Sequence, residues 1–85
     1  MARKQRVIYN KTENLFWKAT HDPHMIEKGY CDFVKNPSQA SKYSTSESDT
    51  IAIESILSRL AIGFPSDQFE VHTYEVIPKQ FKRIV

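Results

Sequence analysis

Cys31, Asp32 and His72 supply the thiol, carboxylate and imidazole that nucleophilic chemistry would need. Neighbours on a strand point to opposite faces, so Cys31 and Asp32 cannot both serve one histidine without a bulge between them. A second constellation is His21-Asp22-Pro23-His24, with Cys31 seven residues further on, a set of donors a zinc ion could use. Structural zinc sites take four ligands, usually with paired cysteines, and this chain has one cysteine. The two histidines read as solvated loop residues and the thiol as core, so no metal or cofactor is expected. Gly29 and Gly63 are the only glycines, which excludes a glycine-rich phosphate loop. The expectation is a chain that binds and does not catalyse.

Two groups of residues could do the binding. Arg3, Lys4 and Arg6 crowd one end, Lys79, Lys82 and Arg83 the other, and the stretch between them is acidic on balance. If the ends meet they make one basic patch, and with Tyr9, Trp17 and Phe81 nearby they hold the ingredients of a single-stranded nucleic-acid surface. The net charge of +2 is small for that role, and solvated termini are the plainer reading of those charges. The other group begins at Phe16-Trp17. One ring of such a pair enters the core, while its neighbour faces solvent, a covering tail or a partner. An outward ring is a protein-binding anchor, so Phe16 and Trp17, with His21, His24, Met25 and Tyr30 from the adjoining loop, are the candidate contacts for a protein partner.

Positioning these residues requires strands. Residues 6–9 and 15–19 are rich in β-branched and aromatic types around the polar run 10–14, the pattern of a β-hairpin. Residues 20–29 break all periodicity and read as an exposed loop, after which 30–34 resume a strand. Asn36-Pro37-Ser38-Gln39 places a capping asparagine and a first-turn proline ahead of one short helical turn. Residues 47–62 are the clearest element. Ser46 or Thr45 caps, Glu47 and Asp49 favour the helix start, and Ile53, Ile56, Leu57, Leu60 and Ala61 form one apolar stripe. Gly63 is expected to stop this helix in a left-handed conformation, with Pro65 beyond it. Residues 68–77 alternate Phe69, Val71 and Thr73 against Glu70, His72 and Tyr74, then change phase at Val76-Ile77, which suggests a bulge near Tyr74. The tail from 79 to 85 is expected to dock through Phe81, Ile84 and Val85.

These elements predict an α+β fold, a three- to four-stranded antiparallel sheet in the order β-β-β-α-β with one long helix on one face. At 85 residues the chain is long enough for one core and one domain. A hydrophobic share of 40% sets it apart from disordered chains. No segment is apolar enough to span a membrane and none follows the basic start as a secretion signal, so a cytoplasmic protein is expected. A free sheet edge leaves self-association open.

The hairpin Val7-Ile8-Tyr9-Asn10-Lys11-Thr12 with Phe16-Trp17, the run Phe33 to Thr45, then a helix and a closing strand ending Tyr74-Glu75-Val76-Ile77-Pro78, together resemble small αβ proteins of bacteriophage and prophage genomes. Ser41, inserted between Ala40 and Lys42, and the loop over 20–29 depart from that pattern. Where such proteins have a role, they are host-interaction factors, among them inhibitors of defence or transcription machinery. The resemblance implies a phage-encoded binder of a host protein and carries over no catalytic residue.

Overall fold

The computed structural model describes residues 3–19, 22–77 and 80–85. The chain runs β1 (Arg3–Asn10), β2 (Leu15–Lys18), α1 (His24–Glu27), β3 (Asp32–Val34), a 3-10 turn (Pro37–Gln39), α2 (Glu47–Gly63), β4 (Phe69–Ile77) and β5 (Gln80–Arg83). The strands form one antiparallel sheet in the order β3-β2-β1-β4-β5. The α+β class and the long helix are as expected, but the sheet has five strands, not three or four. The added strand is the tail: Phe81 pairs with Val76 and Arg83 with Tyr74. Its sequence alternates too briefly to announce a strand, and pairing with β4 is what orders it.

Alternation along β1, β2, β3 and β4 divides the apolar residues between two faces. On one face Ile8 and Trp17 meet Ile53 and Leu60 of α2 and Ile26 of α1, with Phe33, Tyr43, Phe64, Phe69 and Val71 packed around them. On the other face Val7, Phe16, Ala40 and Tyr74 cluster with Tyr9, Val34 and Phe81. Every helical residue in these two clusters belongs to the first. The phase change near Tyr74 is therefore not a bulge. β4 pairs β1 in one unbroken register from Arg3↔Val76 to Asn10↔Phe69, and the mixed pattern arises because both faces of β4 are partly buried.

β1 and β2 pair only at Tyr9↔Phe16 and Asn10↔Leu15 and then part. Residues 41–43 fill the opening. Tyr43 exchanges both backbone bonds with Arg6 at 2.6 and 2.8 Å, and Ser41 N donates to Trp17 O at 3.2 Å. This insertion stacks Tyr43 on Trp17 beneath the helix and turns Ala40 toward the opposite face. Arg6 also ties the segment to α2, donating to Ser44 O, Ser46 O and Thr50 Oγ1. Ser46 caps α2 by accepting from Asp49 N at 3.2 Å, and Asn36 caps the 3-10 turn by accepting from Ser38 N.

Two local expectations change. Residues 22–30 are not simply a loop. α1 lies within them and buries Ile26, and a helix of a single turn has no period for the sequence to reveal. α1 ends in a Schellman arrangement, with Tyr30 N on Met25 O at 2.9 Å, Gly29 N on Ile26 O at 3.0 Å and Gly29 at φ +84°. Gly63 is the last residue of α2, not a left-handed stop beyond it. It is needed because α1 crosses there: a Cβ on Gly63 would lie 1.8 Å from the Ile26 carbonyl oxygen.

Among the described residues no helix is long and apolar enough to cross a membrane. The sheet edges are β3 and β5, both short, and β5 carries Lys82 and Arg83, which discourage further pairing along it.

Candidate functional site

The sheet face opposite the helices carries a cleft of about 370 Å³. Its floor is aromatic because β1, β2 and β4 each aim a ring at the same point. Tyr9 is opposite Phe16 on one side and Glu70 on the other, and His72 is opposite Val7. The Tyr9 ring lies 5.0 Å from Phe16 and 4.5 Å from His72, centroid to centroid, and Tyr74 stacks on Phe81 at 4.4 Å and 7°. Asn14, at φ 60° in the β1–β2 turn, accepts a hydrogen bond from the Tyr9 hydroxyl. Asparagine is among the few side chains at ease with such a φ, so the turn and the ring's orientation are set together.

Cations rim this floor. Lys11, Lys35 and Arg83 line the cleft from the hairpin turn, the end of β3 and β5, and among the described residues Glu70 is the only acid in that lining. Lys42 stands over the Phe81 ring at 5.4 Å and donates to the backbone oxygens of Ser38 and Ala40. Glu70 Oε1 is 3.7 Å from Lys11 Nζ, and its Oε2 is 3.0 Å from His72 Nε2. The hydrogen bond from His72, followed by the charges of Lys11, His72 and Arg83, holds the Glu70 carboxyl below its ordinary value of 4.5. An ionised carboxylate only accepts, so the proton of this bond sits on Nε2. His72 Nδ1 is buried with no hydrogen-bond partner, in a side chain only 5% exposed.

The nucleophilic set considered from sequence does not assemble. Cys31 packs against the helix-side cluster, whereas His72 sits on the far side of the sheet. Burial pushes the Cys31 thiol up to about 11, with the Trp17 indole offsetting part of the rise and Asp32 adding to it. Of the His21, His24 and Cys31 donors, only His24 and Cys31 can be placed, and they form no metal-binding group among the described residues. His21 lies outside the described residues, and His24 Nδ1 is 3.4 Å from Arg59 Nη1, beside the Arg59–Glu27 ion pair at 3.0 Å.

The remaining candidates are scattered. Trp17 is 2% exposed beneath the helices and Phe16 9% exposed on the opposite face, so neither ring projects into solvent. The ring that does is Tyr30, at 64% exposure, near half-buried Met25 and exposed His24. The basic ends do come together: β1 and β5 flank β4, placing Lys4 and Lys82 on either side of Glu75, and Arg3 and Phe81 on either side of Val76. Arg6 is occupied by the α2 cap, and Lys79 lies outside the described residues. Lys11, Lys35, Glu70 and Tyr74 were not singled out by sequence. The spacing Glu70-x-His72-x-Tyr74 did put three polar-tipped side chains on one face, but which strand lay beside them was not legible.

Comparison of this chain with protein families, with curated proteins and with solved structures finds no match in any of the three.

Proposed function

We propose that this chain is a non-catalytic binding module whose open sheet face receives single-stranded nucleic acid. One observation carries the reading: Lys11, Lys35 and Arg83 surround an aromatic floor in the cleft on the face opposite the helices. Cations hold phosphate without regard to sequence, and rings accept bases by stacking. Arg3, on β1 beside Val76, continues the basic track past the cleft. The binding surface is thus the sheet face and not the chain ends alone.

The test is fluorescence anisotropy with a labelled oligo(dT) across a salt series. Single strands give a slope of about −0.7 per phosphate contact, so three cations predict a slope of log K against log salt near −2. Affinity should then fall roughly fifteen- to twentyfold between about 50 and 200 mM salt. Lys35→Glu with Arg83→Glu should abolish binding. No binding by the unmodified protein at about 50 mM salt refutes the reading.

A second reading is supported by Tyr30, whose exposure with Met25 and His24 alongside offers an anchor to a protein. On this reading the partner is a host protein and the outcome inhibition or modulation, as the resemblance to small phage proteins implies. Tyr30→Ser is the appropriate perturbation, since deleting the surrounding loop would also remove buried Ile26. If a host protein co-purifies equally well with Tyr30→Ser, that surface is not the contact.

A further inference from the structure

The cleft holds a feature that phosphate attraction does not explain. An ionised carboxylate in its lining repels phosphate, and a surface made only to attract a polyanion would do better without one. Among the described residues Glu70 is the only acid lining the cleft, and His72 and Lys11 each lie against one of its oxygens. His72 Nε2 donates to Oε2 at 3.0 Å, and the imidazole packs against the Tyr9 ring at 4.5 Å, with the Phe16 ring beyond it at 6.2 Å. Holding it there leaves Nδ1 buried and unpaired, a penalty that an apolar residue at 72 would avoid. A carboxylate fixed at that cost calls for a ligand group that donates hydrogen.

We infer that the cleft takes a guanine nucleotide, its Watson–Crick edge donating to the Glu70 carboxylate and its phosphate held on the cationic rim of the cleft. This rests on the nucleic-acid reading above and names what that site selects. Guanine presents N1–H and the N2 amino group side by side, matching the two oxygens of one carboxylate as a guanidinium does. Adenine and cytosine offer one exocyclic amine beside an acceptor, and thymine one imino N–H between two acceptors, so each would set a lone pair against the carboxylate. Each Glu70 oxygen has one protein neighbour, His72 or Lys11, and retains lone-pair capacity for a second donor. The half-buried Tyr9 ring is the stacking surface. The cleft volume falls in the range of about 300–1,000 Å³ usual for small-ligand sites. His72 acts here as a positioning residue.

The experiment compares labelled (dT-dG)4, (dT-dA)4, (dT-dC)4 and (dT)8 by anisotropy at low salt, with GMP as competitor. The guanine-bearing strand should bind about tenfold more tightly than the other three, the discrimination of one good bidentate contact. Glu70→Gln replaces an acceptor with a donor at a partly exposed position, so the protein stays folded and the preference should disappear while (dT)8 binds as well or better. Displacement by GMP supports a site filled by free nucleotide, and displacement by unlabelled strand alone supports one filled from nucleic acid. Equal affinity for the four strands overturns the guanine assignment but leaves the nucleic-acid reading standing. A preference that survives Glu70→Gln overturns it too. No binding of any strand removes both.

Discussion

Gly63→Ala is the substitution for which secondary-structure preference and tertiary packing predict opposite signs. In an isolated helix, glycine to alanine is stabilising by about 1 kcal/mol. At this position the new methyl would lie 1.8 Å from Ile26 O and 3.0 Å from Gly29 N. An ordinary contact starts near 3.4 Å, so α1 would have to retreat by about 1.6 Å. The carbonyl cannot yield alone, because it accepts from Gly29 N at 3.0 Å and belongs to the same turn as Ile26. Ile26 is 2% exposed and packs with Leu60, so the retreat draws it from the core. Losing most of one large side chain's burial costs about 1.5–3 kcal/mol, and overpacking alone costs about 1–3. After the propensity gain the net loss from that retreat is about 0.5–2 kcal/mol, a fall in Tm of roughly 2–16 °C for a domain of this size. Urea unfolding followed by Trp17 fluorescence, with a thermal melt by circular dichroism, measures it. A Gly63→Ala protein as stable as the parent, or more so, would show that α1 does not cross α2 there.

Leu60→Ala should cost about 3–5 kcal/mol and Leu57→Ala about 2, because Leu60 is fully buried while Leu57 packs from the core's edge; chemical denaturation should rank them in that order. Cys31 should be nearly inert in the folded state: with its thiol pushed from 9.0 up to about 11, the thiolate fraction at pH 8 falls about a hundredfold, which the rate of a thiol-reactive dye with and without denaturant would reveal. Glu70 and Asp49 both have native carboxyls held below their ordinary values of 4.5 and 3.8, chiefly by hydrogen bonds from His72 and Ser44 respectively. Their contribution to stability is complete above those ordinary values and is lost as pH falls through the lowered native ones, so Tm should drop below pH 4.5 and drop less in Glu70→Gln with Asp49→Asn.

What could be read from the chain alone was set by interactions close in sequence. The Ser46 cap, the acidic first turn and the stripe from Ile53 to Leu60 each depend on residues within two or three helical turns, so α2 is legible to within a residue. The hairpin and β4 follow from alternation, which records that a strand has two faces but not which neighbour shares them. The cleft depends on that missing fact. Tyr9 and Phe16, Tyr9 and Glu70, and Tyr74 and Arg83 face one another only because β1 lies between β2 and β4 and the tail folds back as β5. The same holds for Gly63, whose role is decided by a helical turn distant in sequence. Local chemistry chose the elements, and long-range pairing chose which charges and rings meet, because strand order is a global minimum over contacts that no single segment encodes.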